Sequence, residues 1–239
     1  MRSLQRLAWI GACLTAPALC TAQAASSSPD LLIAGSQGSS DTHYSYVGTL
    51  VPMWGGTLGQ GWFRKTVASW LTYRFDTVQA GQNVTVRAQA PGIEGGLGYA
   101  WNAPGRAADV SLSIGARHTR LDPDVSTAGT RGTELTLTPQ GFIRQDLNRW
   151  LDADVLASYS FGTEGRFARG RLGTRVVPNW RIGVEGVQVA GPDYRSLQRG
   201  VFASTSLSNG MSLDLNAGQA RARDGKTAAY VGVALSKTY

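Results

Sequence analysis

The sequence predicts an all-β protein, specifically an antiparallel up-and-down transmembrane β-barrel of about twelve strands. Three observations predict it: apolar residues alternate with small or polar ones along many segments, turn signals recur at intervals that suit strands, and the chain ends on an aromatic residue, Tyr239. Such alternation directs one set of side chains toward lipid and the other toward a lumen. After Leu19 no apolar run reaches the length of a membrane helix. If the chain spans a membrane, it must therefore do so as a barrel.

The N-terminus predicts a secretory signal peptide covering residues 1–24. A short segment with two arginines precedes the apolar stretch 7–18, and Ala22-Gln23-Ala24 forms a small-x-small cleavage site. The apolar stretch is too short to span a membrane as a helix. We therefore expect a secreted chain whose single domain, the barrel, covers residues 25–239.

Charge and cysteine content restrict the classes of partner. The net charge is +7, and removal of Arg2 and Arg6 with the signal peptide leaves about +5. This mild basicity suits an anionic lipopolysaccharide surface or an acidic polymer, and equally a surface without a partner. No dense basic cluster with interleaved aromatics indicates nucleic acid. Cys13 and Cys20 both lie in the predicted signal peptide, so we expect no disulfide, no metal site and no cofactor.

Turn signals divide the chain into about twelve strands. A barrel of roughly ten to fourteen strands would also fit the spacing of these turns. The predicted strands cover Leu31–Gln37, Tyr44–Met53, Trp62–Phe75, Val84–Trp101, Ala107–Arg120, Thr133–Arg144, Trp150–Phe161, Arg166–Val177, Trp180–Ala190, Leu197–Leu207, Met211–Ala220 and Ala228–Tyr239. In the last of these, Val231, Val233 and Leu235 share a face with Tyr239. A soluble secreted β-sandwich would show the same alternation, so the periodicity alone does not separate the two folds.

Tryptophans favour the barrel. Five tryptophans lie where a predicted strand meets a predicted periplasmic turn: Trp54, Trp62, Trp101, Trp150 and Trp180. Aromatic girdles at this level are typical of outer-membrane barrels. Two of them, Trp62 and Trp150, nevertheless share the phase of the residues that we expect to face inward.

The candidate glycan-contact residues lie mainly on the third predicted strand. If Leu71 and the apolar residues in phase with it face lipid, then Trp70, Arg74 and Asp76 face the lumen. An aromatic ring beside charged groups could contact a sugar chain by stacking and hydrogen bonding. The alternative is that Arg74 pairs with Asp76 or Glu185 and plugs a narrow barrel. All four residues are therefore candidates for lumen or glycan contacts.

The residue pattern gives little support to an enzymatic function. A lipid-modifying barrel needs a nucleophilic serine, a histidine base and an orienting group. His43 and Ser45 share a face of one predicted strand, and His118 ends another. Asp152 and Asp154 also share a face, whereas a glycosidase needs two carboxyls across a cleft. We expect these histidines and aspartates to be structural, with no catalytic residue.

Four segments carry a family resemblance: Tyr44–Gly48, Leu58–Trp62, Trp70–Asp76 and Pro91–Tyr99. In this order they resemble the cellulose biosynthesis protein BcsS family of Gram-negative bacteria. The resemblance implies a non-enzymatic outer-membrane accessory of cellulose or exopolysaccharide production or export. We expect a monomer in contact with membrane lipid and lipopolysaccharide, with cellulose chains and the synthase or export machinery as further partners. The alternatives are a lipid-modifying barrel enzyme of the acyl hydrolase type and a small diffusion porin.

Overall fold

The protein folds into a closed antiparallel barrel of twelve strands. The structure is a computed structural model, and it describes residues 30–125 and 128–239. The strands are β1 Leu31–Gly38, β2 Thr42–Pro52, β3 Gly61–Gln79, β4 Gln82–Ala103, β5 Arg106–Asp122, β6 Gly132–Asp146, β7 Leu151–Ser160, β8 Gly165–Val177, β9 Trp180–Ala190, β10 Arg195–Ser206, β11 Met211–Ala222 and β12 Thr227–Thr238. Each strand pairs with its sequence neighbours, and β1 pairs with β12 to close the sheet. The predicted fold and strand number are confirmed. The predicted signal peptide lies outside the described residues.

The two ends of the barrel differ. Leu31 and Thr238 pair at one end, which we call the terminal end, and the opposite end is the loop end. Thr42, the first residue of β2, pairs with Tyr73, yet β3 continues to Gln79. The β3–β4 hairpin therefore extends past its neighbours at the loop end. No helix in the described part of the chain is long and apolar enough to cross a membrane.

Side chains alternate between the outer surface and the interior along every strand. On β5, Val110 and Ile114 are 50% and 68% exposed, whereas Ser111 and Ser113 are buried. On β12, Val231 is exposed and Ser236 is buried. The predicted facing of these strands is confirmed. Exposed apolar side chains on most strands together form the lipid-facing band of the barrel.

The predicted facing of β3 is wrong. Leu71 and Tyr73 are 3% exposed and point into the barrel, whereas Trp70 is 48% exposed and points outward. Arg74 and Asp76 share the outward phase of Trp70. In an outer-membrane barrel the apolar face of a strand usually meets lipid. Here the interior beside β3 is itself apolar, so that the hydrophobicity of one face did not identify the lipid side.

The apolar part of the interior lies mainly against β1 to β4. Its largest members include Leu31, Phe63 and Val67, each at most 2% exposed. At the terminal end, Leu58 from the β2–β3 connection joins this cluster. At the loop end, Val125 from the β5–β6 connection is fully buried. These apolar side chains exclude water from one side of the lumen.

The other side of the interior is charged and centres on Arg171 of β8. Its guanidinium donates two hydrogen bonds to the carboxylate of Asp214, at 2.8 and 2.9 Å, and one through Nε to Glu185 at 2.7 Å. The second oxygen of Glu185 accepts from Asn216 Nδ2 and from the Tyr230 hydroxyl, both at 2.9 Å. This arrangement satisfies both buried carboxylates, as the low-dielectric interior requires.

A second charged cluster lies next to the first. Arg181 Nη2 contacts Asp152 at 2.5 Å and Asp154 at 2.7 Å. Arg144 donates to Asp152 at 2.6 Å, and Arg169 lies 3.5 Å from Asp154. The prediction that Asp152 and Asp154 are charges facing the lumen is confirmed by their burial.

The interior is packed rather than open. Charged and polar side chains from widely separated strands, among them Lys65, Asp109 and Arg171, are at most 4% exposed. A water-filled channel past these groups would leave them accessible. Two cavities between inward side chains, one beside Tyr44 and Glu94 and one beside Tyr73 and Thr119, measure about 50 and 10 Å³. Neither of these cavities is large enough for a polymer.

The aromatic girdle at the terminal end matches the predicted positions. Trp62, Trp150 and Trp180 are 46%, 57% and 43% exposed. Trp62 lies outward because the phase of β3 is opposite to that expected. Trp150 precedes the first residue of β7, so strand phase does not apply to it. The rings therefore lie at the level where amphipathic aromatics favour the membrane interface.

Replacement of Arg171 tests whether the charged interior stabilises the barrel. Arg171→Leu leaves Glu185 and Asp214 as two buried carboxylates without their cation, which costs roughly 3–5 kcal/mol. We expect the free energy of unfolding, measured by tryptophan fluorescence in urea with the barrel in lipid vesicles, to fall by about this amount. The matched control is Arg131→Leu, because Arg131 and its partner Asp124 are 53% and 60% exposed and such pairs contribute about 1 kcal/mol or less. Equal losses in the two variants would contradict the prediction.

Candidate functional site

A groove of about 630 Å³ crosses the loop end of the barrel, and we call it the mouth groove. One side is formed by the β1–β2 turn and the projecting β3–β4 hairpin, and the other by the β9–β10 and β11–β12 connections. Its lining residues are Asp41, Thr42, Arg74, Phe75, Asp76, Thr77, Thr85, Asp193, Tyr194, Arg195, Ala222, Arg223, Asp224 and Lys226. The hairpin can form this wall because β3 and β4 outlast β2 at this end.

Aromatic rings line the base of the mouth groove. The ring centroids of Tyr73 and Tyr194 are 4.6 Å apart, and those of Tyr73 and Phe75 are 5.9 Å apart. The Tyr73 hydroxyl lies 2.8 Å from Thr130 Oγ1, which holds this ring in place. Burial raises the pKa of the Tyr194 phenol, so its hydroxyl stays protonated at neutral pH. The groove therefore presents fixed aromatic surface together with a phenolic hydroxyl.

Asp193 holds two loops together beneath the groove. Its carboxylate accepts hydrogen bonds from the backbone N–H of Gly129 at 2.7 Å and of Thr130 at 3.0 Å. The Thr130 hydroxyl donates to the same carboxylate at 3.0 Å. Three hydrogen bonds to one carboxylate fix the β5–β6 connection against the β9–β10 connection. The base of the mouth groove is therefore preorganised.

The charges of the mouth groove balance. The cations are Arg74, Arg195, Arg223 and Lys226, and the anions are Asp41, Asp76, Asp193 and Asp224. Equal numbers of cationic and anionic groups give no net attraction to a highly charged ligand. They do supply many hydrogen-bond donors and acceptors beside aromatic rings. This combination suits an uncharged ligand rich in hydroxyl groups.

Lys226 connects the two walls of the groove. Its ammonium lies 2.8 Å from Asp224 in its own connection and 3.4 Å from Asp76 on the β3–β4 hairpin. Thr85 donates to the other oxygen of Asp76 at 2.7 Å. The hydrogen bond from Lys226 lowers the pKa of Asp224, and Asp224, followed by Asp76, raises the pKa of Lys226. Both groups therefore stay charged across the neutral range.

The structure separates the four predicted glycan-contact residues. Arg74 and Asp76 line the mouth groove, although they do not face the lumen. Trp70 lies on the outer surface, below the groove. Glu185 is in the interior, where its cationic partner is Arg171 rather than the predicted Arg74.

The structure brings His43 and Ser45 together on the outer surface. His43 Nε2 lies 3.0 Å from Ser45 Oγ and 3.2 Å from Ser36 Oγ on β1, and the two serine hydroxyls are 3.1 Å apart. A catalytic triad needs an acceptor at Nδ1 to orient the ring. Both hydrogen bonds of His43 involve Nε2, and its Nδ1 lies against Gly38, where an added Cβ would be 2.5 Å away. The cluster thus satisfies its own polar groups without the full set of catalytic partners.

The other candidates from the enzymatic reading stay apart. His118 Nδ1 lies 2.7 Å from Thr133 Oγ1 on the neighbouring strand and takes no part in the His43 cluster. Among residues 30–125 and 128–239, no three His, Cys, Asp or Glu side chains are grouped so that they could hold a metal ion.

Sequence reasoning missed most of the groove. Phe75 was assigned to lipid by strand phase, and Asp193 and Tyr194 lie in a connection without a distinctive motif. A signal was nevertheless available in the length of the fourth predicted strand, which exceeds both of its neighbours and implies a projecting hairpin. The partners that the hairpin meets across the barrel could not be inferred from local sequence.

Comparison with solved structures supports the fold. The KdgM porin in complex with disordered oligogalacturonate aligns with a TM-score of 0.53 and 10% identity, over 87% of this chain and 99% of that one. An outer membrane channel from Pseudomonas putida F1 aligns at 0.52 and 11% identity, over 90% and 97%. LpxR from Salmonella typhimurium aligns at 0.50 and 11% identity, over 87% and 99%. At such low identity these similarities concern the fold alone.

Sequence comparison identifies the family. No curated protein matches the chain significantly. The family model of the cellulose biosynthesis protein BcsS, by contrast, matches residues 31–239, which include all twelve strands. The segments that carried the resemblance in the sequence fall in β2, in the β2–β3 turn, and in β3 and β4, which build one wall of the mouth groove. The chain is therefore a member of the cellulose biosynthesis protein BcsS family.

Proposed function

We propose that this protein is a non-enzymatic outer-membrane accessory of cellulose production or export that holds a glucan chain at its external mouth. The observation that supports the glucan site is the mouth groove, which is aromatic at its base and balanced in charge at its walls. In this proposal a cleavable signal peptide directs the chain across the inner membrane. The barrel is monomeric, and its loop end faces outward, as in other outer-membrane barrels. Its partners are the glucan and components of the synthase or export machinery.

Two features support a neutral glucan as the ligand. Phe75 and Tyr194 offer aromatic surface to the apolar faces of sugar rings, and the Tyr194 hydroxyl and the charged side chains can hydrogen-bond sugar hydroxyls. The balance of charge favours cellulose over an acidic polysaccharide, which would need an excess of cations. Arg74 and Asp76 keep their predicted role as glycan contacts in this proposal. Trp70 and Glu185 lose it, because neither reaches the groove.

The packed interior argues against a diffusion porin and against passage of the polymer through this barrel. A polymer would have to displace the paired charges around Arg171 and the apolar cluster that includes Phe63. We infer that the chain of sugars passes beside this protein, through a partner, and contacts it only at the mouth. The incomplete polar cluster at His43 supports the non-enzymatic assignment over an acyl hydrolase.

The closed interior predicts the absence of a steady channel. In planar lipid bilayers the wild-type barrel should give no lasting conductance steps, because buried charged and apolar side chains fill the lumen. Arg144→Ala combined with Arg181→Ala removes two large interior side chains and should produce brief openings. A stable conductance from the wild-type protein would contradict the closed interior and revive the porin alternative.

Glucan binding can be tested by replacing residues of the mouth groove. Phe75→Ala and Arg74→Ala should each weaken binding of soluble cello-oligosaccharides at least about fivefold, because lost stacking or hydrogen bonding of this kind is worth about 1 kcal/mol or more. Isothermal titration calorimetry on the folded barrel in detergent measures the change. In a deletion strain, complementation by these variants should restore less cellulose than the wild-type gene does.

Trp70→Ala is the matched control for these variants, since Trp70 lies on the same strand but outside the groove. It should bind cello-oligosaccharides as the wild type does. Loss of binding in Trp70→Ala alone would place the glycan site on the outer surface of β3 instead. Normal cellulose output from the deletion strain would overturn the role in cellulose production itself.

The contact between Lys226 and Asp76 predicts that the groove narrows or widens with pH. The hydrogen bonds from Thr85 and then Lys226 lower the pKa of Asp76, so its contribution is present above the usual carboxylate range and is lost as pH falls through the lowered value. The raised pKa of Lys226 means that its contribution is lost as pH rises through that value. Spin labels on cysteines at Val78 and Thr227 should therefore give a narrow distance distribution near neutral pH that broadens at both extremes. Lys226→Met should broaden it at every pH; an unchanged distribution would show that the bridge does not set the groove width.

A further inference from the structure

Four arginines lie around the outer surface toward the loop end, and we call them the outer arginine ring. They are Arg87 on β4, Arg120 on β5, Arg166 on β8 and Arg221 on β11. Each is exposed, and the residues beside it in its strand are buried or half-buried. The side chains therefore project away from the barrel. None of the four lines the mouth groove.

The ring lacks the ion pairing that the interior arginines have. Arg144, Arg169, Arg171 and Arg181 each lie within salt-bridge distance of an interior carboxylate. Within residues 30–125 and 128–239, no salt bridge is formed by a member of the outer arginine ring. A single chain thus carries paired arginines inside and unpaired ones outside.

The strand register adds a second observation. Arg87 lies directly opposite Arg74 on β3. Like charges at directly opposed positions destabilise a sheet. On its other side Arg87 is opposite Asp122, yet these two form no salt bridge. An external anion between the guanidinium groups would relieve the repulsion.

The upper members of the ring lie at the depth of a headgroup layer. Along β4, Arg87 and Trp101 of the terminal-end girdle point to the same outer surface. A strand rise of about 3.4 Å per residue and a tilt of roughly 40° separate the two by about 36 Å along the barrel axis. The apolar band of an outer-membrane barrel is only about 25 Å tall. Arg87 therefore lies above the hydrocarbon region, as does Arg120, which is opposite Gln89 on the same part of β4.

The two interfaces of the barrel are built differently. At the terminal end, rings such as Trp62, Trp150 and Trp180 occupy the interface, as suits the glycerol and headgroup level of phospholipids. At the loop end, guanidinium groups occupy it instead. Guanidinium is planar, carries a permanent charge and binds phosphate with two parallel hydrogen bonds. The chemistry of the loop end thus fits a leaflet whose headgroups carry phosphate.

We propose that the outer arginine ring binds the phosphate groups of a phosphorylated glycolipid of the lipopolysaccharide type in the outer leaflet. Around the circumference, Arg87 and Arg120 form the nearest pair, since they lie on the adjacent strands β4 and β5. Bound glycolipid orients the barrel and sets the height of the mouth groove above the membrane. This inference does not depend on the groove binding glucan.

The test compares binding of bis-phosphorylated lipid A to the folded full barrel and to variants, by native mass spectrometry from detergent micelles. The combined variant Arg120→Gln, Arg166→Gln and Arg221→Gln should bind lipid A at least tenfold more weakly than the wild type. Arg64→Gln is the matched control, because Arg64 also points outward but lies near the terminal end. It should bind as the wild type does. High salt should weaken binding to the wild type.

Three further probes distinguish the sources of phosphate. The wild type should bind dephosphorylated lipid A weakly, about as weakly as the triple variant binds intact lipid A. Inorganic phosphate at an equimolar concentration should not displace lipid A from the wild type. Phosphatidylglycerol should bind more weakly than lipid A. Equal binding of phosphatidylglycerol, or full binding by the triple variant, would overturn the proposal. Heat-modifiable gel migration confirms that each variant is folded. If the triple variant is not folded, Arg120→Gln and Arg221→Gln should each lower the affinity for lipid A about threefold.

Discussion

The ion pairing of Arg171 with Asp214 and Glu185 is the interaction on which the closed barrel depends. A twelve-stranded sheet encloses more space than one layer of apolar side chains fills, and long charged side chains reach farther across it. Their desolvation is tolerable only because each guanidinium meets carboxylates with matching geometry, as Arg171 does with Asp214. Once these side chains fill the lumen, the surfaces that the described residues leave for a ligand are the two ends and the outer wall of the barrel.

The division of the interior into an apolar and a charged half has a consequence for the site. The apolar half lies against β1 to β4, so apolar side chains recur along the inner face of β3 toward the loop end, where the last two are the rings of Tyr73 and Phe75. Where β3 outlasts its neighbour β2, these rings leave the packed interior and become the base of the mouth groove. The groove is therefore an extension of the core of the barrel. Its rigidity follows from the same packing that closes the lumen.

The charged residues of this protein fall into three populations with different physical states. Those of the interior are buried and paired, and they stabilise the fold. Those of the mouth groove are partly exposed and balanced, as in the contact of Lys226 with Asp224 and Asp76. Those of the outer arginine ring are exposed and lack an intramolecular ion pair. The mild basicity of the whole chain, net +7, thus resides in part in a band on the outer surface.

The sequence by itself determined the architecture, because strand alternation and turn residues are local. Clear cases such as Val110 to Ile114 and Val231 to Leu235 were placed on the correct face, and the predicted strand number was right. Only the tertiary structure decided which face of β3 points inward, since Leu71 and Tyr73 pack against an apolar interior that residues from other strands create. It also decided the candidate site, because Arg74, Asp193 and Lys226 are distant in sequence and meet only when the barrel closes. Local pattern specifies strands, whereas contacts across the lumen depend on the whole chain.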